Sequence, residues 1–247
     1  MSQNIIIIGA SSGIAEAVAR RLAEKGAGFF LVARNAAKLQ AISADLSARG
    51  ARQVSSFVMD ANDTAKIPEM LDVAWRTFDF FDIALVAHGT LPDQNRCETD
   101  LAYAVSELRN NAESVITFLA AVGQRFENQG KGAIAVIGSV AGDRGRSSNY
   151  LYGAAKAAIE TFSCGLRMRL FKSGVNVLLI KPGFVSTAMT ADLNLPALLT
   201  VSPEAVAIDI CRAIDQRKEV LYTPWFWSLI MWIIRWIPAV LFKRLRL

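Results

Sequence analysis

Short apolar runs alternate with segments of helical periodicity over most of this 247-residue chain. The runs are rich in β-branched side chains, as is typical of strands buried on both faces of a parallel sheet. After the first run, Ile14, Val18 and Leu22 recur every four residues and predict an amphipathic helix that ends near Gly26. The predicted strands are Ile5–Ile8, Phe29–Val32, Val54–Val58, Ile83–Val86, Ala133–Ile137, Val175–Ile180 and Val220–Tyr222.

This alternation also predicts the fold class. Strands separated by helices form βαβ units, whose strands are parallel because each helix carries the chain back across the sheet. We therefore expect an α/β fold: a single Rossmann-type, doubly wound parallel sheet of about seven strands over residues 1–222. No linker rich in proline, glycine or serine interrupts that region, and residues 223–247 are expected to form an apolar and basic helical tail.

Charge is concentrated in this tail. Arg235, Lys243, Arg244 and Arg246 lie there without an acid, and subtracting these four from the formal net charge of +5 leaves +1 for the rest. So small a charge on the main domain gives no support for nucleic-acid binding. Hydrophobic residues make up 53% of the chain, which excludes a disordered protein.

The cysteine spacing and the N-terminal segment both bear on the cellular location of the protein. The three cysteines are far apart and match no metal-binding or disulfide-framework spacing, so we expect free thiols and no metal site. The N-terminal segment lacks the basic region and the long apolar core of a secretory signal. Both features favour a cytoplasmic location.

A glycine-containing turn follows the first predicted strand and precedes the first predicted helix. Gly9 and Gly13 lie at its two ends. Glycines in such a turn allow close approach of the backbone, and the free N–H groups of the following helix favour a pyrophosphate. The turn therefore predicts dinucleotide binding.

The residues at the ends of the second and third predicted strands indicate which dinucleotide is bound. Arg34 lies where an acidic residue would bond a free ribose 2′-hydroxyl, so NADP(H) is favoured, although NAD(H) stays possible. Alternatively, Arg34 is a solvated residue at a helix start. Asp60 either accepts a hydrogen bond from the adenine amino group or serves as a turn residue.

Two tyrosines near residue 150 differ in their relation to a lysine. Tyr152 and Lys156 are four residues apart and share one helix face, whereas Tyr150 lies on another face. A phenol has a pKa of about 10, and a nearby ammonium is expected to lower it for proton donation. Ser139, at the end of the fifth predicted strand, could hold a substrate carbonyl beside Tyr152 or could be a turn serine.

Together these motifs resemble those of the short-chain dehydrogenase/reductase family. The matching segments, in the family's order, are Gly9-x-x-x-Gly13-x-Ala15, Asn111, Ser139, Tyr152-x-x-x-Lys156 and "KPGFVST". The resemblance implies a catalytic tetrad of Asn111, Ser139, Tyr152 and Lys156. In that tetrad Asn111 would anchor a proton-relay water, and Lys156 would also bond the nicotinamide ribose.

The resemblance also implies the nucleotide contacts, with residues 182–187 at the nicotinamide end. The chain departs from the family's Asn-Asn-Ala-Gly after the fourth strand, where it has Val-Ala-His-Gly. Its only histidine, His88, would thus lie near the adenosine, and we expect a packing or loop role. The expected cofactor contacts are Gly9, Ser11, Ser12, Gly13, Ile14, Arg34, Asp60, Ala61, Ala87, Gly89, Tyr152, Lys156, Pro182, Gly183, Val185 and Thr187.

Three longer segments resemble the reductases that act on polyprenyl-phosphoryl 2-keto-pentoses, such as the decaprenylphosphoryl sugar. They are "GDRGRSSNYLYGAAKA", "IKPGFVSTAMTA" and "LYTPWFWSLIMWIIRWIP". This resemblance implies NAD(P)H-dependent reduction of the keto group of a lipid-linked sugar in glycan biosynthesis. Tyr150 would then shape the entrance of the substrate site.

The tail holds a ten-residue apolar run, Trp225–Ile234, broken only by Ser228. A bilayer span needs about 20 residues, so an interfacial helix on the cytoplasmic face of the inner membrane is more consistent. Its tryptophans and basic residues suit a headgroup boundary and anionic lipid. Alternatively, the tail packs across a subunit interface of a homo-oligomer or covers the substrate cleft.

Two other functions fit parts of the sequence. One is a soluble reductase of a small ketone, steroid or acyl substrate, with a tail that serves only dimerisation. The other is a non-catalytic nucleotide-binding module that senses redox state. An intact tetrad argues against the second, since sensing needs no proton donor.

Overall fold

A computed structural model describes residues 3–191 and 193–245. Its central sheet has seven parallel strands in the order β3-β2-β1-β4-β5-β6-β9. A separate pair of two-residue strands, β7 and β8, lies beside it. The strands are β1 (Asn4–Ile8), β2 (Gly28–Ala33), β3 (Gln53–Val58), β4 (Ile83–Val86), β5 (Gly132–Ile137), β6 (Val175–Pro182), β7 (Phe184–Val185), β8 (Thr200–Val201) and β9 (Val220–Thr223).

Helices cover both faces of the sheet, and the predicted fold class is confirmed. One core packs α1, α2 and α8 against the sheet, and a second core packs α3, α6 and α7 against its other face. The helices are α1 (Gly13–Ala23), α2 (Ala36–Ala48), α3 (Ile67–Phe78), α4 (Gln94–Thr99), α5 (Leu101–Leu108), α6 (Ser114–Gln129), α7 (Tyr150–Leu170), α8 (Pro203–Asp215), α9 (Phe226–Trp236) and α10 (Ala239–Phe242).

The strand order determines at which edge of the sheet a ligand is expected to bind. The order of strands reverses between β1 and β4, and ligands of open α/β sheets bind beyond the carboxyl ends of strands at such a switch point. The glycine turn leaves β1 at that edge, and Ser139 follows β5 there. Sequence-predicted site residues from distant parts of the chain therefore converge on one edge.

The C-terminal tail is packed against the main domain. β9 extends to Thr223, so the boundary expected between residues 222 and 223 falls within a strand. In α9, Trp227 and Met231 are 3% and 0% exposed and form a small core with Val140. The basic residue Arg246 lies outside the described residues.

None of the helices that the structure describes is both long enough and apolar enough to cross a membrane. The apolar tail helix α9 has eleven residues. At 1.5 Å per residue it is about 16 Å long, roughly half the thickness of a bilayer core.

Candidate active site

The glycine turn after β1 has the geometry of an anion cradle. Gly9 has a φ of +83°, and a Cβ on it would lie 2.5 Å from the backbone nitrogen of His88. Ser12, the N-cap of α1, makes no capping bond through its side chain. The first N–H groups of the helix therefore stay available, and they fit the pyrophosphate of a dinucleotide.

One elongated cavity brings together the predicted site residues from both ends of the cofactor path. Every predicted cofactor contact lines it, and so does Ser139. Gly13 and Thr187 approach one another across it, since a Cβ on Gly13 would lie 3.3 Å from Cγ2 of Thr187. The phosphate turn and the loop after β6 therefore both belong to the wall of this cavity. Of the predicted tetrad, only Asn111 is absent from its lining, where Asn110 is found instead.

The reactive centre lies between the end of β5 and the first turns of α7. Ser139 and the half-buried Tyr152 both line the cavity there, and Ser139 Oγ accepts from the backbone N–H of Ala141 at 3.1 Å. Lys156, one helical turn on, is 3% exposed, and its Nζ donates to the carbonyl of Ile137 at 3.0 Å. That Nζ lies 5.5 Å from the centre of the Tyr152 ring. A hydroxyl pair and a cation therefore share one wall of the cavity.

The protonation behaviour of Tyr152 differs from the expectation. Burial raises the pKa of Tyr152 to about 12, and the nearby Ser139 side chain opposes that rise. Burial also lowers the pKa of Lys156 to about 8. In the protein alone the net pKa of Tyr152 therefore lies above its ordinary value, opposite to the lowering that was expected. The largest cause is the loss of water around the phenol, while the Lys156 ammonium bonds the carbonyl of Ile137.

Asn111 lies in a π-helical turn, Arg109–Glu113, between α5 and α6. It is 1% exposed, and its Oδ1 accepts from the backbone N–H of Thr90 at 2.9 Å while its Nδ2 donates to the Glu107 carbonyl at 3.1 Å. A Cβ on Gly89 would lie 2.9 Å from Asn111 Oδ1 and 3.7 Å from Lys156 Nζ. Asn111 is thus beside the lysine, but behind the surface of the cavity.

His88 is half-buried between the turn and α6. Its Nε2 is 2.9 Å from the hydroxyl of Ser114, and its ring packs edge-on against Phe118. Burial, with a smaller effect of the Lys156 charge, lowers the pKa of His88 to about 3. The imidazole is therefore neutral at physiological pH, which suits the expected packing role and excludes it as a proton donor.

Tyr150 points away from the site. Its side chain is outside the cavity lining, is 46% exposed and donates to Glu98 at 3.1 Å. The expectation that Tyr150 shapes the entrance is therefore wrong: residue 150 lies on the helix face toward α4. Tyr152 occupies the face toward the cavity.

Arg34 and Asp60 lie at the far end of the cavity from Tyr152. Arg34 is exposed at its rim. Asp60 lines the cavity and also accepts from the backbone N–H of Asn62 at 2.8 Å. A turn role for Asp60 and a place at the nucleotide site are therefore compatible.

Sequence reasoning missed several residues of the cavity. Arg146 and Asn149 line it on the segment that joins Ser139 to Tyr152. The only signal was their place between two motif residues, within the quoted segment "GDRGRSSNYLYGAAKA". Phe184, Met189, Leu193 and Leu195 add an apolar wall after β6.

Comparisons with known proteins identify the family of this chain. The family model for short chain dehydrogenases matches residues 3–197. An uncharacterized oxidoreductase of Mycobacterium tuberculosis is 36% identical over 241 residues, which cover 98% of this chain and 96% of the relative. An uncharacterized oxidoreductase of Streptomyces coelicolor is 31% identical over 244 residues, with the same two coverages.

A solved structure supports the fold. The crystal structure of levodione reductase superposes with a TM-score of 0.82 at 22% identity, covering 92% of this chain and 98% of that chain. The family uses NAD(P)(H) to oxidise or reduce small molecules. The alternative of a non-catalytic sensor is therefore set aside. The chain belongs to the short-chain dehydrogenase family and is an oxidoreductase.

Proposed function

We propose that this enzyme reduces a ketone with NADPH, and that Tyr152 donates the proton. The observation that carries this proposal is the convergence of Ser139, Tyr152 and Lys156 on the wall of the cavity that the predicted cofactor contacts line. A phenol with a pKa of about 12 is protonated at physiological pH. The protein therefore presents an acid, which reduction of a carbonyl requires.

The residues of the cavity fit a nicotinamide dinucleotide. The turn at Gly9 and the start of α1 would hold the pyrophosphate, and Arg34 would pair with a 2′-phosphate. Lys156 would hold the nicotinamide ribose, with Thr187 near the nicotinamide. When bound, the nicotinamide supplies the hydride.

The chain's own groups would then act on the carbonyl oxygen. The Ser139 hydroxyl would hold that oxygen beside Tyr152, whose proton passes to it as negative charge develops. The protonated Lys156 would stabilise the phenolate left behind, because the two groups lie on one helix face. Asn111 would fix the lysine's surroundings through Thr90 and Glu107.

For the substrate we propose a keto sugar linked to a polyprenyl phosphate, as used in glycan biosynthesis. An apolar wall of Phe184, Met189 and Leu193 lines the cavity beside the nicotinamide end. Met189 and Leu193 are exposed, so this wall continues to the surface of the protein. Such a surface suits a lipid chain that leaves the site rather than a small ketone enclosed by it.

We also propose that the tail contacts the membrane peripherally, on the cytoplasmic face of the inner membrane. Trp225, Leu229, Trp232 and Trp236 recur at helical spacing, and all four are more than half exposed. Arg235, Lys243 and Arg244 accompany them, and residues 223–245 contain no acid. This combination is complementary to an anionic lipid surface.

The test is cofactor oxidation by the purified full-length protein in detergent. A polyprenyl-phosphoryl 2-keto-pentose is compared with soluble ketones, each with NADPH and with NADH. Turnover of the lipid-linked ketone with NADPH is expected. Turnover of soluble ketones alone would overturn the lipid substrate, and binding of NADPH without reduction of any ketone would overturn the reaction.

A further inference from the structure

The segment between Ser139 and Tyr152 places two polar side chains on the cavity wall without partners. Arg146 and Asn149 both line the cavity. The Nε of Arg146 and the Oδ1 of Asn149 are buried and have no hydrogen-bond partner in the part of the chain that the structure describes. Buried polar groups are normally hydrogen-bonded, so these two atoms on the cavity wall are candidates for bonding a ligand.

Arg146 is a half-buried cation, and no acid is in ion-pair contact with it among residues 3–191 and 193–245. Burial lowers the pKa of its guanidinium, and the field of Asp143 opposes that change. Taking a guanidinium out of water without a partner is costly, and an anion with oxygen acceptors removes that cost.

Asp143, the acid whose charge acts on Arg146, already has other partners. Asp143 forms an ion pair with the buried Lys181 and accepts from the hydroxyl of Tyr222 at 2.8 Å. Lys181 also contacts Glu160, with 2.7 Å between Nζ and Oε2. These contacts tie the segment to β6, α7 and β9. The charge of Asp143 acts on Arg146 through space, and the Nε of Arg146 stays without a hydrogen-bond partner.

A second anchor holds the segment from the other side. Arg144 donates to the carbonyls of Ile234 and Ile237 at 2.5 and 2.6 Å, and its guanidinium lies 3.7 Å from the ring centre of Phe242. Arg146 is therefore carried on a loop fixed to both the sheet and the tail. Such preorganisation lowers the entropic cost of binding a ligand.

Asn149 adds a different chemistry. It occupies the N-cap position of α7, yet its side chain makes no capping bond. Its unpartnered oxygen can accept only from a donor, such as a hydroxyl group of a ligand. A cation and a hydroxyl acceptor three residues apart match a hydroxylated molecule that carries a phosphate.

We propose that Arg146 and Asn149 form the substrate subsite for a phosphoryl group and a neighbouring hydroxyl, and so select phosphorylated hydroxyketones over neutral ketones. This inference rests on the proposed ketone reduction and names the part of the substrate that the protein recognises. The phosphoryl group can belong to a lipid-linked diester or to a free sugar phosphate.

The experiment compares the kinetics of three ketones with NADPH: a 2-keto-pentose phosphate, the same keto-pentose without phosphate, and the polyprenyl-phosphoryl form. Arg146→Met is expected to raise KM for both phosphorylated ketones roughly 10- to 100-fold. It should leave KM for the neutral ketone and for NADPH within about twofold. Arg146→Lys, which keeps the charge, should show a smaller loss.

Arg212→Met is the matched control, because Arg212 is an exposed arginine on α8 and its loss removes the same charge. It should leave all three KM values unchanged. An equal rise for neutral and phosphorylated ketones in Arg146→Met would overturn the subsite. An effect confined to the polyprenyl form would support it and identify the lipid diester as the source.

Calorimetry separates failure of this inference from failure of the proposed reaction. The keto-pentose phosphate is titrated into the protein with NADP⁺ bound, so no turnover is needed. Binding that weakens roughly 10- to 100-fold in Arg146→Met supports the subsite even if no ketone is reduced. If the wild type binds the phosphate no better than the unphosphorylated sugar, the subsite is overturned.

Discussion

The indole of Trp227 fills the space that a side chain at Gly183 would need. Its ring also meets Phe184 edge-on, with 5.1 Å between ring centres. Gly183 belongs to the loop predicted to contact the nicotinamide, whereas Trp227 belongs to the C-terminal helix. The tail is thus packed directly against the catalytic cavity. Substitutions in the tail helix are therefore expected to alter the cavity wall.

Trp227→Ala should lower the free energy of unfolding by about 3 kcal/mol, because it removes a fully packed indole from a small core. Denaturant unfolding followed by circular dichroism measures this loss. Trp232→Ala is the control, since Trp232 is 61% exposed on the same helix and should cost less than about 0.5 kcal/mol. Equal losses in the two variants would contradict the packing described here.

Tyr152→Phe should lower kcat by at least about 100-fold, since it removes the proton donor and keeps the ring. Tyr150→Phe should leave kcat and KM unchanged, because its hydroxyl bonds Glu98 outside the cavity. Steady-state oxidation of NADPH measures both variants. Near-wild-type turnover in Tyr152→Phe would contradict the assigned role, provided that NADPH binding is intact.

Lys156 should make stability depend on pH between about 8 and 10.5, its pKa values in the folded and unfolded states. In that window the unfolded chain binds more protons at this lysine than the folded protein, so folding becomes more favourable as pH rises. The gain in the free energy of unfolding is lost again as the pH falls to 8, where half of the folded protein carries a protonated Lys156. Between pH 8 and pH 10 it amounts to about 2 to 3 kcal/mol.

The measurement is the difference in free energy of unfolding between wild type and Lys156→Met at several pH values. That difference should shift in favour of the wild type by about 2 to 3 kcal/mol from pH 8 to pH 10. Lys172→Met, at an exposed lysine, should show no such shift. A difference independent of pH for Lys156→Met would mean that burial does not lower the pKa of this lysine.

Arg34 should determine the preference for NADPH. Arg34→Ser is expected to raise KM for NADPH roughly 10- to 100-fold, because a charge-assisted bond to the 2′-phosphate is lost. KM for NADH should change little. Lys25→Ser removes an exposed charge outside the cavity and serves as the control. If Arg34→Ser raised KM for both cofactors alike, Arg34 would not distinguish them.

The sheet was predictable because its strands are buried on both faces and therefore read as continuous apolar runs. Observed strands begin or end within two residues of each prediction. The pair β7 and β8 was not predicted, because a strand of two residues is too short to show a repeating pattern of apolar and polar residues. Tyr152 and Lys156 were found from spacing, because α7 is a regular helix.

What the sequence could not show depends on contacts between distant residues. The rise in the pKa of Tyr152 comes from burial, which no local pattern reports. Arg146 was missed because arginines are common in loops, and only the structure shows its Nε buried without a partner. The packing of Trp227 on Gly183 joins residues 44 positions apart, so the tail looked separable from the domain.

The exposed face of the tail should bind anionic membranes. We expect the full-length protein to float with vesicles that contain phosphatidylglycerol and to bind more weakly to pure phosphatidylcholine or at high salt. Trp232→Ser combined with Trp236→Ser should weaken binding roughly 10- to 100-fold, since both indoles are exposed and free to enter the interface.

These point changes are better suited than a truncation, because removing the tail would also take Trp227 and Met231 from the core. Phe171→Ser is the matched control, since Phe171 is 78% exposed after α7, away from the tail. It should leave flotation unchanged. If the wild type does not float but forms a dimer that the double variant dissociates, the face is a subunit interface. The lipid substrate would then have to reach the cavity without help from the tail.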